Sequence, residues 1–261
     1  MNSDLFILTP SGWLLAISCA LIIGMSKAGL PGSGALAVPL MAMLFPPALS
    51  SGILLPVLIC GDLFGVSYFN RHADWKMLAR LLPMALTGVF IGFIIMKLLL
   101  HTDADKANNI IRISIALLVF SFALLRIFSK QLRLSEFNDL SDSNRLKVAI
   151  FFGLLAGITT QLANAAGPLM MIFLLSMKLP KESFIGTSAW FFCILNCCKV
   201  PFMIALGSIN TYSLLFNLKL FPFVFIGAGA AIIISSKMSS RSFEMWIIIL
   251  TLISAGMLLL K

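Results

Sequence analysis

The chain has 261 residues, of which 60% are hydrophobic and 11% charged, with a mean hydropathy of +1.03 and a formal net charge of +9. Soluble domains carry about 25% charged residues, so the composition excludes an ordinary water-solvated fold and describes a polytopic membrane protein. The positive charge does not point to nucleic acid, because Lys and Arg are scattered over short loops with no aromatic-interleaved basic surface. Anionic lipid headgroups are the partner it implies.

In chain order, the N-terminus has only Asp4 ahead of its first apolar run and no small-residue cleavage pattern after it, so no removable signal peptide is expected. That first run, 12–44, is too long for one helix. At 1.5 Å per residue it would extend about 50 Å, against a hydrocarbon core of about 30 Å. It is interrupted by GMSKAGLPGSGALAVP, residues 24–39, which sets Lys27 beside Gly29, Pro31, Gly32, Ser33 and Gly34. Single spans are predicted at 51–69, 77–99 and 110–129, followed by the polar connector 129–147. A second overlong run, 148–177, carries Thr159, Thr160, Gln161 and Asn164 just before NAAGP, and spans at 184–206, 213–234 and 243–260 complete the chain.

The two sides of the connector share a plan. At an offset of 134, Pro46 falls on Pro180, Gly52 on Gly186, Val66 on Val200, Asp62 on Asn196 and Lys27 on Gln161. The expected fold is an all-α integral membrane protein of about eight hydrophobic helical segments in two repeat halves. The halves are 1–128 and 148–261, joined by 129–147, and the first segment of each is broken. Basic residues arbitrate the breaks. If both broken segments cross fully, Lys and Arg divide 10 to 7 between the two sides; if both are re-entrant, they divide 12 to 5. The stronger bias favours re-entrant hairpins with both termini outside, three crossings per half, and hence inverted repeats.

Matching broken helices in two halves mark a transporter binding site near the bilayer midplane. A lysine or aspartate there costs about 2.5 to 3.5 kcal/mol on insertion scales, so Lys27, Asp62 and Lys199 should face protein or a cavity. Lys199, near the end of its segment, also suits snorkelling. Pro31 and Pro168 suit first turns of helices, which would aim half-helix N-termini inward and favour an anion, with Gly29, Gly32, Gly34 and Gly167 admitting it close to the backbone. Ser33, Gln161, Asn164 and Asn196 supply further donors. Asp62 either orients a lysine or carries a coupling proton or sodium ion. The odd number of cysteines, all in apolar segments, gives no disulfide framework, and Cys193, Cys197 and Cys198 lack the His or second thiol pair of a metal site. No catalytic pairing stands in the membrane, so neither an enzyme nor a cofactor is expected.

GMSKAGLPGSGALAVPLMAMLFPPALSSGILLP, DLFGVSYF and GTSAW (186–190) together resemble the sulfite exporter TauE/SafE family of transmembrane permeases, over about residues 12–258. The resemblance implies transport of sulfite, sulfoacetate or another organosulfonate across a bacterial inner (cytoplasmic) membrane. It carries over to Gly24, Gly29, Gly32, Gly34, Pro39 and Asp62, and to Gly157, Gly167, Pro168, Gly186, Thr187 and Ser188. NAAGP departs from the family's denser glycine run after the second break, SSGIL replaces its Gly-Thr-Ser pattern in the first half, and both bear on the choice of substrate. The resulting expectation is a permease for a small sulfur-containing anion, alternating access between Lys27/Asp62 and Gln161/Asn196. Its partners are that anion, anionic headgroups and at most a second copy of the chain, with no nucleic acid. The alternatives are a cation or soft-metal permease and a membrane scaffold with no substrate.

Overall fold

A computed structural model describes residues 3–45, 47–99, 141–243 and five further positions up to 253. The predicted span 110–129 and most of 243–260 lie outside the described residues. Among the described residues the α-helices run in the order α1 (Pro10–Ala28), α2 (Ala37–Leu44), α3 (Pro47–Phe69), α4 (Trp75–Leu99), α5 (Asp142–Ala163), α6 (Ala166–Ser176), α7 (Lys181–Ala205) and α8 (Thr211–Ser236), with further helical residues from 240 on. Six helices among the described residues are long and apolar enough to cross a membrane, and no strand occurs among them. The protein is an all-α, multi-pass membrane protein.

Helix starts follow local chemistry. Thr9 caps α1 by accepting from Gly12 N at 3.3 Å, with Pro10 in the first position, where its missing N–H costs nothing. Ser141 accepts from Asn144 N and starts α5 at Asp142, so residues 142–147 of the predicted connector are already helical. Asn210 and Ser213 form a capping box at α8.

Both broken segments turn back. Past Ala28 the chain reverses through Pro31 and Gly32, whose φ of 95° is a glycine conformation, and a 3-10 turn over Ser33–Leu36 leads into α2. Then α2 descends along α1: Cys19 Sγ donates to Ala37 O at 3.7 Å, and the Phe6 and Phe45 rings sit 5.4 Å apart. In the second half Asn164, at φ 51°, ends α5, and α6 returns so that Phe152 meets Phe173 at 5.2 Å. Both broken segments thus fold as helical hairpins, whose first arms, α1 and α5, are each long and apolar enough to cross a membrane. The first tip reaches deep, since a Cβ on Gly65 would lie 2.5 Å from Lys27 O, one helical turn (roughly 6 Å) before α3 ends. Pro168, the third residue of α6, sits in its first turn as expected, whereas Pro31 lies in the turn ahead of the 3-10 segment, because eight residues separate α1 from α2 but only two separate α5 from α6.

Close packing repeats across the molecule. A Cβ on Gly24 in α1 would meet Val224 O at 2.0 Å and Ala228 N at 2.8 Å in α8; one on Gly157 in α5 would meet Ala85 O at 2.0 Å and Val89 N at 2.8 Å in α4. Gly227 faces Leu21 O as Gly88 faces Leu154 O, each at 2.2 Å from the added Cβ. Small residues let membrane helices approach this closely. Thus α1 runs parallel to α8, and α5 parallel to α4. Between them α3 and α7 cross antiparallel, with Gly52 beside Ser208 at one end and Gly186 beside Phe69 at the other. Each hairpin completes its apolar cluster with a helix from the other half: Ile23, Met41 and Ile53 with Leu220, and Leu81 with Ala156, Phe173 and Phe191.

This packing corrects one pairing. Gly24 corresponds to Gly157 and Leu21 to Leu154, an offset of 133, so Thr160 and not Gln161 is the counterpart of Lys27. A slip of one residue turns a side chain about 100° around the helix, which takes Gln161 to a different face. Charge is also sorted by end. His72 pairs with Glu182 at 3.1 Å, Asp74 N donates to Thr187, and Lys181 Nζ donates to Ser235 O, which gathers residues 70–74, 181–187 and 235–238 at one end. Arg71, Lys76, Arg80, Arg145, Lys147, Lys178, Lys181, Lys237 and Arg241 lie at or near that end; Lys97 and Lys219 lie towards the other.

Candidate functional site

The two tips come together beside the α3–α7 crossing. At the crossing Asn196 Nδ2 donates to Asp62 Oδ2 at 2.6 Å, and the fully buried Asp62 receives Lys27 Nζ on Oδ1 at 2.7 Å. Lys27 sits near the end of α1, with its side chain against Gly61 and its main-chain carbonyl against Gly65 of α3. Its ammonium also lies 4.3 Å from the centroid of the Phe192 ring, an electrostatic contact with the ring face. A buried pair of this kind holds only while both members are present, since either alone is an uncompensated charge out of water.

A cavity of about 40 Å³ lies between the tips, lined from the first by Ser26, Lys27, Pro31, Gly32, Gly34 and Val38, and from the second by Thr160, Asn164, Gly167 and Met171. Leu58, Ser188, Phe192 and Asn196 close it from the crossing helices. It holds on the order of three waters. Gly167 is the second residue of α6, and a Cβ there would meet nothing within 4 Å. The first turn of α6 therefore borders the cavity at Gly167. An ammonium, hydroxyls, amides and a helix N-terminus around one small space suit an anion.

The second tip is fastened differently. Lys199 Nζ donates to Thr160 O at 2.7 Å, Thr160 Oγ1 at 3.2 Å and Asn164 Oδ1 at 2.5 Å, while Asn164 Nδ2 donates to Ser51 O and Ser51 Oγ at 2.9 and 3.1 Å. The backbone acceptor on Ser51 sets which way the Asn164 amide points.

Of the candidate residues, Lys27, Gly32, Gly34, Asn164, Gly167 and Asn196 line the cavity. Asp62 stands behind Lys27 and Asn196, and Lys199 stands behind Thr160 and Asn164. The rest face elsewhere. Gly29 packs on Ala231 and Ser235 of α8, Ser33 donates to Leu30 O at 2.9 Å within its turn, and Thr187 Oγ1 accepts from Asp74 N at 2.9 Å. Gln161 is fully buried against Gly92 of α4, with no hydrogen-bond partner among the described residues on its amide nitrogen or oxygen. Phe192 and Ser26 escaped the sequence reading. Ser26 adjoins Lys27 and Phe192 stands one turn before Asn196, but a phenylalanine among 22 carries no mark of its own. Among the described residues no three His, Cys, Asp or Glu side chains gather as a metal site.

A protein-family model described as Sulfite exporter TauE/SafE matches residues 16–258, nearly the whole chain. No curated protein and no solved structure gives a match.

Proposed function

Because the chain belongs to the sulfite exporter TauE/SafE family, a family of membrane transporters, we propose that it is a permease for a small sulfur-containing anion such as sulfite, sulfoacetate or another organosulfonate. The observation that carries this reading is Lys27, a cavity-lining ammonium between two hairpin tips. The anion competes with Asp62 for Lys27 and takes further donors from Asn196, Ser188 and the start of α6. Release of Lys27 from Asp62 loosens the first tip from α3, and access then alternates between the two ends. The halves 1–128 and 148–261 act as inverted repeats in a cytoplasmic membrane, with both termini outside. Asp62 is the candidate for carrying a proton if the direction is inward. Outward movement needs no coupling, since expelling one negative charge gains about 2.3 kcal/mol per 100 mV.

Thermal shift of the purified protein against sulfite, thiosulfate, sulfoacetate, taurine, sulfate and acetate tests the reading. A ligand at 100 times its Kd adds about 2.7 kcal/mol of stability, and a sulfur-containing anion should lead the series. Lys27→Ala should weaken that anion roughly 10- to 150-fold, the worth of one charge-assisted bond. Unchanged affinity in that variant, or no shift with any anion, defeats the proposal.

A further inference from the structure

Lys199 is fully buried, yet it neither lines the cavity nor faces a carboxylate within ion-pairing distance among the described residues. Three oxygens surround its Nζ: a main-chain carbonyl at the end of α5, the hydroxyl of the same Thr160, and the Asn164 amide oxygen. An ammonium has three N–H donors and no acceptor, so the cradle matches it in number. A carbonyl, a hydroxyl and an amide oxygen at the negative end of a helix are also the ligands that a hard monovalent cation takes in a membrane. A neutral donor would satisfy the same oxygens at less cost in the bilayer; what Lys199 adds is charge.

The counterpart position in the first half makes the point. Gly65 stands there, close to Lys27 O, and offers no cation. Lys27, Lys199 and Asp62 therefore leave the two tips with one positive charge in excess among the described residues, which a monovalent anion neutralises. We infer that Lys199 is a tethered cation: its ammonium fills a monovalent-cation site at the second tip, so that the transport cycle runs with no sodium ion bound there. The link to transport rests on the permease reading; the site itself is testable without any anion.

Wild-type protein should show the same thermal stability and the same anion flux in sodium chloride and in choline chloride at matched ionic strength. Lys199→Met keeps the aliphatic stem and vacates the head position, and Lys199→Ala removes a fragment equivalent to n-propylammonium. In choline chloride both should be less stable than wild type, with flux about 10-fold lower or worse, the loss expected for a charged hydrogen bond. Sodium should restore Lys199→Met saturably, and n-propylammonium should restore Lys199→Ala. The inference falls if wild type needs sodium, if both variants match wild type in choline, or if neither cation restores either variant. Anion-free stability separates the two claims: rescue with no anion response in wild type would sustain the cation site and sink the permease.

Discussion

The two hairpin tips occupy equivalent places but are tied down in opposite senses. At the first, the lysine belongs to the tip and its acceptor, Asp62, to the spanning helix α3; at the second, the lysine belongs to the spanning helix α7 and its acceptors, Thr160 and Asn164, to the tip. The first tie is a single ion pair beside the cavity, the one that the proposed anion would compete for. The second is five hydrogen bonds through Lys199, Asn164 and Ser51, with Lys199 away from the cavity. One backbone plan is thus used twice while its chemistry is divided: an ion pair fastens the first tip and a set of hydrogen bonds the second.

The largest effect expected from breaking this contrast is at Lys27. Lys27→Ala leaves Asp62 buried with only Asn196, and removing one member of a buried pair costs about 3 to 5 kcal/mol. Asp62→Asn in the same protein takes away the stranded charge and should return most of that loss. Denaturant or thermal unfolding in detergent checks the cycle. A double variant no more stable than Lys27→Ala would mean that the ion pair does not fasten the first tip.

Next in size is the packing that makes the tips comparable. Gly24→Ala and Gly157→Ala each press a methyl group onto a main-chain oxygen 2.0 Å away, and overpacking of that kind costs about 1 to 3 kcal/mol. The two losses should agree within about 0.5 kcal/mol, and Gly167→Ala, with no contact within 4 Å, should cost little. Clearly unequal losses would break the equivalence of the α1–α8 and α5–α4 interfaces.

How much of this was legible beforehand follows from which helices the offset of 134 describes. It pairs Asp62 with Asn196 correctly, because both lie where α3 and α7 cross and the two residues meet there. It fails by one residue in the hairpins and by five in α4 and α8, where Gly88 corresponds to Gly227. The hairpin loops also differ in length: eight residues with a 3-10 turn join α1 to α2, and two join α5 to α6. Breaks, spans and the buried lysines were visible as polar residues in apolar runs. The cradle around Lys199 was not, since it depends on the main-chain carbonyl of Thr160 and on the rotation of α5 that turns Gln161 away.

Thr187 sharpens the comparison at a smaller scale, because GTSAW suggested a substrate role and the hydroxyl instead holds the α3–α4 loop through Asp74 N. Thr187→Val keeps the shape and removes the acceptor. About 1 kcal/mol of stability should go with that hydrogen bond, while affinity for the anion stays at the wild-type value in the binding assay used for Lys27→Ala. A loss of affinity as large as that of Lys27→Ala would return Thr187 to the site.

No loss of stability is expected from the last test, which asks from which side each hairpin enters. Arg71 and Tyr212 are both exposed, at opposite ends of the bundle: Arg71 follows α3, near the start of α7, and Tyr212 opens α8, near the start of α3. The end that holds Arg71 is the one rich in Lys and Arg among the described residues, and under the positive-inside rule it is expected to face the cytoplasm. The first hairpin would then enter from outside and the second from the cytoplasm, so that the first tip, though entered from outside, ends nearer the cytoplasmic face. In a background with the five native cysteines replaced, a membrane-impermeant thiol reagent added to intact cells should modify Tyr212→Cys and spare Arg71→Cys. The opposite pattern would invert the molecule in the membrane and exchange the roles of the two tips with respect to the cell. Labelling of both from outside would deny that residues 71 and 212 face different compartments, and with it the opposed entry of the two hairpins.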